Sequence, residues 1–263
     1  MKTHFYKYQA AGNDFVLVDN REGKLSFTDA EVSKLCDRRF GIGADGIILL
    51  EKSSAADFKM VYRNADGSAS FCGNGCRAIV HFANKLGVIK DSTTFIAHDG
   101  LHTAQILPDG YIRFSLGDVN TIEEKGEDLY IDTGTDHNVR FVKNLELYPV
   151  VEEGKKIRYS DLYKPKGTNA DFVEINADES VSFRIYERGV EAETYSSGSG
   201  ATACALAIAK KFGRTSPVKL SSPGGTLLVE FETSYNGTFH NIFLTGPVEL
   251  VFETAVMSSC VPA

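Results

Sequence analysis

The chain has 263 residues, of which 43% are hydrophobic and 24% are charged, with a formal net charge of −7. This length allows one large domain or two of roughly 100 to 150 residues, each with its own core. An acidic chain without a block of Lys or Arg lacks the basic surface that binds phosphate backbones, so we expect no nucleic-acid partner. No run approaches the roughly 18 apolar residues of a membrane span, and the first residues alternate like a strand. We therefore expect a cytoplasmic protein with no membrane partner.

The hydrophobic pattern predicts alternating strands and helices of a mixed α+β fold. The first helix is expected after Thr28-x-x-Glu31, a capping-box pattern, and the second half of the chain repeats the order of the first. Further helices are predicted near 73–86 and 199–212. Strands are predicted near 3–8, 14–19, 46–51, 57–63, 93–116, 128–132, 138–143, 171–176, 181–187, 217–222, 226–231 and 239–252.

An internal repeat accompanies this order. An offset of 125 residues superposes residues 72–75 on 197–200 and Gly100 on Gly225. Gly-x-Gly before a helix is common, which is the simpler explanation, but the number of agreements at one offset favours a duplicated domain. We predict two pseudo-symmetric lobes, 1–118 and 119–263, with the active site in the cleft between them. As an alternative for the last strand, it packs back on the first lobe.

Two other patterns have structural interpretations. Residues 41–46 match the dinucleotide pattern G-x-G-x-x-G, but a predicted helix precedes them and an apolar run follows, so we predict a turn. The spacing of the cysteines indicates neither a disulfide framework nor a metal site. These cysteines are at positions 36, 72, 76, 204 and 260.

Cys72 precedes a predicted helix in a polar, glycine-rich segment. The N-terminus of a helix presents unpaired N–H groups and a partial positive charge, which bind carboxylates and lower the pKa of a thiol. Both effects favour abstraction of the α-proton of an amino acid, a very weak acid whose carbanion needs fixed donors. The alternative is that Cys72 is a small buried apolar residue.

In the second half, Glu187 and Arg188 come shortly before the Ser197–Gly200 segment. An arginine suits a second carboxylate of a substrate, and a glutamate suits an ammonium group. A surface ion pair is the alternative interpretation.

Six segments carry a pattern that runs along the whole chain in order: 11–15, 41–46, 64–77, 167–169, 187–189 and 222–225. In these segments the chain resembles the diaminopimelate epimerase family. The resemblance implies two lobes, each a mostly antiparallel sheet wrapped around a central helix. It also implies an isomerase that needs no cofactor and inverts one α-carbon of LL-2,6-diaminopimelate to give the meso isomer, with one cysteine acting from each lobe. Such an enzyme belongs to lysine and peptidoglycan biosynthesis.

The resemblance also assigns roles to individual residues. Cys72 matches the first catalytic cysteine, and Ser197 stands where the second is expected. His137 stands where the family usually has a histidine after a proline. Two positions stay open for it, one near the active site and one away from it. The residues implied in substrate binding are Asn13, Asn64, Gly73, Asn74, Asn169, Glu187, Arg188, Gly198 and Ser199, with Asn64, Asn169, Glu187 and Arg188 at the distal end of the substrate.

Ser197 is the largest departure from the family pattern. A serine hydroxyl is a much poorer base than a thiolate at neutral pH, so we expect an impaired or modified reaction. Cys204 does not replace the missing thiol, because seven helical residues span about 10 Å. A natural variant and an introduced Cys-to-Ser change both stay open.

Three smaller departures affect the pocket. Thr135 and Asp136 stand where the family usually has Asn or Ser followed by Pro, the spacing from Asn64 to Cys72 is one residue shorter, and the segment 191–193 is one residue longer. Three functions therefore remain: a diaminopimelate epimerase, a racemase, epimerase or dehydratase of another amino acid, and a non-catalytic amino-acid-binding protein. The oligomeric state is left open, with a homodimer as one option.

Overall fold

A computed structural model describes residues 2–235 and 237–257 of the chain. The described residues divide into two compact units. Unit 1 comprises residues 2–114 and 246–257, and unit 2 comprises residues 115–245.

Unit 1 is a curved sheet around one buried helix. That helix, α2, has buried side chains on every face, among them Cys76, Ile79, Val80 and Phe82, as expected for a helix enclosed by a sheet. The elements are β1 (Lys2–Ala10), β2 (Asn13–Asp19), α1 (Asp29–Cys36), β3 (Gly46–Glu51), β4 (Phe58–Asn64), α2 (Gly73–Lys85), β5 (Ser92–Ala97), β6 (Gly100–Ile106) and β7 (Ile112–Ser115).

Unit 2 has the same plan around helix α4, whose residues 200–208 are all buried. The elements are β8 (Ile122–Lys125), β9 (Asp128–Asp132), β10 (Asp136–Phe141), α3 (Val150–Arg158), β11 (Asn169–Ile175), β12 (Val181–Glu187), β13 (Ala192–Thr194), α4 (Gly198–Phe212), β14 (Val218–Ser222), β15 (Gly225–Thr233) and β16 (Phe239–Gly246). The last strand, β17 (Glu249–Met257), pairs antiparallel with β1 of unit 1.

Strand pairing repeats step for step in the two units. In unit 1, β2 and β3 are parallel, β3 and β4 antiparallel, β4 and β5 parallel, and β5 and β6 antiparallel. In unit 2, β10, β11, β12, β14 and β15 pair in the same sequence of directions. Gly100 and Gly225 begin equivalent strands with φ of 135° and 140°, which a residue with a side chain rarely adopts. The offset of 125 residues is therefore a structural repeat.

The predicted α+β class and two-lobed plan are confirmed. Thr28 and Glu31 form the predicted capping box before α1, and residues 41–45 form a turn that leads into β3. The region 93–116 is three strands, and the region 239–252 spans two. The pattern did not indicate α3, β8 or β13. Helix α3 is short and mostly charged, and it packs against β12 through Gly154, where a side chain would collide with Tyr186.

Within the described residues, no helix is both long and apolar enough to cross a membrane. Cys36, Cys72, Cys76 and Cys204 are free thiols, and Cys260 lies outside the described residues.

Candidate active site

Cys72 is the N-cap residue of α2. Its backbone is extended, with φ −143° and ψ 104°, and its Sγ accepts a hydrogen bond from the N–H of Gly75 at 3.4 Å. The side chain is half-buried, whereas Cys36, Cys76 and Cys204 are buried. Burial raises the pKa of Cys76 and of Cys204 well above the usual value, so neither is suited to act as a thiolate.

Asn13 brings a second element to the start of α2. It follows the two-residue hairpin turn Ala11-Gly12, in which both residues have positive φ (53° and 85°). Its Oδ1 lies 3.7 Å from Cys72 Sγ and accepts a hydrogen bond from Asn74 Nδ2 at 3.1 Å. Asn13, Cys72 and Asn74 are thus brought together.

A cluster of charges lies beyond Asn13. Asn13 Nδ2 donates to Asp45 Oδ2 at 2.7 Å, and Asp14 binds both Lys7 and Arg38. Burial alone would raise the pKa of Asp14, but hydrogen bonds from Arg38 and Lys7 hold it well below its usual range. Burial and then the charge of Asp14 raise the pKa of Asp45.

Arg77 lies fully buried one turn into α2. Its guanidinium donates to Asn74 Oδ1 at 2.8 Å and to the carbonyl of Pro247 at 3.1 Å, while NH1 has no hydrogen-bond partner among the described residues. Burial lowers its pKa to about 10. Arg77 therefore holds Asn74 in place and supplies a buried positive charge below the helix start.

Asn64, at the end of β4, hydrogen-bonds within its own turn. Its Nδ2 donates to Ser68 and Ser70, and its Oδ1 accepts from Tyr62 at 2.9 Å. The predicted role of Asn64 in substrate binding stays a prediction.

Ser197 is the N-cap residue of α4 and repeats the geometry of Cys72. It has φ −133° and ψ 127°, and its Oγ accepts from the N–H of Gly200 at 3.2 Å. The residue is 8% exposed. Gly198 and Ser199 form the first turn, as Gly73 and Asn74 do in α2.

A line of polar groups leads from Ser197 into the interior of unit 2. Ser197 Oγ lies 3.3 Å from Ser199 Oγ, which accepts from Thr135 Oγ1 at 3.2 Å. Thr135 Oγ1 lies 2.9 Å from His137 Nε2, and His137 Nδ1 lies 2.7 Å from Asp171 Oδ2. His137 and Asp171 are both fully buried. His137 is thus connected to the start of α4.

The opposite face of β10 carries a different cluster around Asp136, because side chains alternate along a strand. Asp136 Oδ2 binds Arg188 NH1 and Lys166 Nζ, each at 2.6 Å, and Oδ1 accepts from Tyr130 at 2.6 Å. Burial would raise the pKa of Asp136, but hydrogen bonds from Lys166, Tyr130 and Arg188 lower it to about 2.

Asn169 and Arg188 belong to this cluster. Asn169 accepts from the backbone N–H of Arg188 at 2.8 Å and donates to the carbonyl of Asp136 at 2.9 Å. Glu187 accepts from Thr194 at 2.6 Å. Glu191, in the segment 191–193, has φ 57° and binds Arg158.

Sequence reasoning missed three of these contacts: the Arg77–Asn74 bond, the Asp136–Arg188 pair and the His137–Asp171 pair. The alternation of β10 indicates only that Asp136 and His137 face opposite sides of the strand. Thr135 precedes β10 and contacts His137, and Asp171 pairs with Val139 on the parallel neighbour strand.

Comparison with known proteins identifies the family of the chain. The model of the family described as diaminopimelate epimerase matches residues 5–122 and 129–251. The chain belongs to the diaminopimelate epimerase family. A diaminopimelate epimerase from Flavobacterium psychrophilum is 49% identical over 255 residues, covering 95% of this chain and 99% of that protein. One from Chlorobaculum tepidum is 38% identical, covering 94% and 98%.

Solved structures at lower identity share the fold. A phenazine biosynthesis protein of the PhzF family from Bacillus anthracis superposes with a TM-score of 0.78 at 16% identity, covering 98% of this chain and 99% of that one. A hydroxyproline epimerase from Agrobacterium vitis superposes with a TM-score of 0.72 at 14% identity, covering 97% and 92%. Family membership makes this chain an isomerase of the epimerase type.

Proposed function

We propose that the chain epimerises LL-2,6-diaminopimelate to meso-diaminopimelate without a cofactor, with Cys72 and Ser197 as the two proton-transfer groups. The observation that carries the proposal is the matched pair of helix starts. In each unit, one side chain able to exchange a proton caps the helix and accepts from the N–H three residues later.

The chemistry follows from the character of a helix start. Abstraction of an α-proton leaves negative charge on the substrate carboxylate, and unpaired N–H groups in a partly buried site stabilise that charge. We assign this role to the first residues of α2 and α4, namely Gly73, Asn74, Gly198 and Ser199. Asn13, through its contacts with Cys72 and Asn74, would orient the thiol and the bound carboxylate.

Ser197 makes the two groups unequal. Cys72 can act as a thiolate, but an alcohol rarely ionises near neutral pH, so inversion should be slower than removal of the proton. We propose that the distal end of the substrate meets the Asn169–Arg188 cluster, with Asn64 and Glu187 nearby. The substrate is a small polar amino acid of intracellular metabolism, and we assign the activity to the cytoplasm.

The Asp136–Arg188 ion pair favours a second candidate, a racemase or epimerase of another amino acid. A distal carboxylate would have to displace Asp136 from Arg188 or share Lys166 with it. An amino acid without a distal carboxylate would leave this pair intact.

The test is incubation of the chain with LL-diaminopimelate in deuterated water, followed by measurement of α-deuterium and of the meso isomer. We expect exchange together with slower inversion, and loss of both in Cys72→Ala. Absence of exchange from either isomer by a folded protein would contradict the proposal. Exchange confined to amino acids without a distal carboxylate would support the second candidate, and tight binding without any exchange would indicate a binding protein.

A further inference from the structure

We propose that Ser197 is the outer end of a proton relay that runs through Ser199 and Thr135 to the buried His137–Asp171 pair. The inference rests on the proposed function, because it concerns how the hydroxyl side of the reaction exchanges its proton. Its positioning residues are Thr135, His137 and Asp171, which act on the substrate only through Ser197.

The need for a relay comes from the chemistry of an alcohol. A serine is activated when an adjacent base or acid completes its proton transfer, as histidine does in many hydrolases. The described hydrogen bonds of Ser197 Oγ are two, one from Gly200 N–H and one with Ser199 Oγ. Ser199 is therefore the route by which a titratable side chain reaches Ser197.

Each link of the route can pass a proton. A hydroxyl oxygen donates and accepts at the same atom, so Ser197, Ser199 and Thr135 can each receive one proton while releasing another. The imidazole of His137 ends the route, and its other nitrogen is held by Asp171 at 2.7 Å. This contact fixes the ring so that Nε2 faces Thr135.

The inner end of the relay is a fully buried histidine–aspartate pair. Asp171 is fully buried, and its Oδ1 has no hydrogen-bond partner among the described residues, so a neighbouring cation would stabilise it. Thr135 Oγ1 donates to Ser199 Oγ and lies 2.9 Å from Nε2 of His137, so it can receive a proton from that nitrogen. For the relay we assign one proton to Nε2, toward Thr135, and one to Nδ1, toward the carboxylate of Asp171.

Protons balance along the whole route. When the carbanion is protonated, Ser197 gives its proton to the α-carbon and takes one from Ser199, and Ser199 takes one from Thr135. Thr135 then takes the Nε2 proton, and His137 is left neutral with Nδ1–H donating to Asp171. Abstraction of an α-proton by the Ser197 side runs the same transfers in reverse.

Thr135 offers a matched pair of variants. Thr135→Val keeps the shape and removes the hydroxyl, whereas Thr135→Ser keeps the hydroxyl. We expect Thr135→Val to slow inversion by at least about 10-fold and Thr135→Ser to stay close to the unchanged chain. Deuterium uptake into unreacted substrate should persist for the stereoisomer that Cys72 deprotonates, so the ratio of exchange to inversion should rise for one of the two stereoisomers. A general structural defect would lower exchange from both.

A Ser197→Cys background provides the decisive control, because a thiol ionises without a relay. There, Thr135→Val and Thr135→Ser should give the same inversion rate. If Thr135→Val fails to fold, Thr135→Ala removes the same hydroxyl, again with Thr135→Ser as its control. Equal inversion by the Val and Ser variants in the Ser197 chain, or an equal loss in both backgrounds, would overturn the relay. Absence of exchange in the unchanged chain would instead refute the proposed function.

Discussion

The starts of α2 and α4 have similar backbone conformations, but the side chains that support Cys72 differ from those that support Ser197. At α2, Cys72 and Asn74 both meet Asn13, whose amide leads on to Asp45. At α4, hydroxyls and an imidazole lead from Ser197 to Asp171. An amide donates from nitrogen and accepts at oxygen, so it orients its neighbours without passing a proton, whereas a hydroxyl can pass one. The side with a thiol has a fixed support, and the side with an alcohol has a relay.

The largest expected effect comes from making both helix starts alcohols. In Cys72→Ser, the new hydroxyl would face the amide of Asn13, which cannot relay its proton. We expect exchange and inversion to fall by about 1,000-fold or more. As a control, Cys204→Ala removes a buried thiol from α4 of unit 2. We expect this variant to keep its activity as long as it folds.

Alkylation gives an independent check on Cys72. Among the described cysteines it alone is not buried, so iodoacetamide should label it first and stop turnover in proportion. Mass spectrometry locates the label. Full turnover after complete labelling of Cys72 would contradict its role.

The opposite change makes both helix starts thiols. In Ser197→Cys, the second group can ionise by itself, and we expect inversion to rise by about 10- to 100-fold relative to exchange. The measurement is the rate of meso formation from LL-diaminopimelate together with α-deuterium content. An unchanged ratio of inversion to exchange would show that Ser197 does not limit the reaction.

The sequence predicted the internal repeat, but it did not predict the side-chain contacts of His137 and Asp136. The offset that superposes Cys72 on Ser197 is visible in the sequence because both helix starts need small residues, and it predicted the two-lobed plan. The pairing of His137 with Asp171 depends on the register of two parallel strands far apart in sequence. The ion pair of Asp136 with Arg188 likewise depends on long-range packing. The sequence therefore drew attention to Asp136 and His137 without indicating the side chains that they contact.

The second glycine of each helix start, Gly75 in α2 and Gly200 in α4, lies close to buried side chains. A Cβ at Gly200 would lie 2.4 Å from Asp171 Oδ1, a fixed buried carboxylate, whereas one at Gly75 would lie 2.9 Å from the flexible end of Met60. We expect Gly200→Ala to lower the free energy of unfolding by about 1 to 3 kcal/mol, and Gly75→Ala to cost less. Urea denaturation of both variants measures the difference, and an equal cost would indicate that Asp171 can move.

The smallest expected effect concerns acid stability, where each unit has an aspartate held by a lysine and an arginine. Asp136, with a pKa lowered to about 2, contributes stability at neutral pH that is lost as the pH falls from about 4 through 2, because the folded state must then protonate a paired carboxylate. In Asp136→Asn we expect the free energy of unfolding at pH 7 to fall by about 1 to 2 kcal/mol, with a flatter dependence on pH in that window. The pKa of Asp14 is lower still, so its contribution should persist to lower pH. Urea midpoints measured at steps between pH 7 and pH 2 follow the contributions of both aspartates. If the free energy of unfolding of Asp136→Asn fell as steeply between pH 4 and 2 as that of the unchanged chain, the acid sensitivity would come from a group other than Asp136.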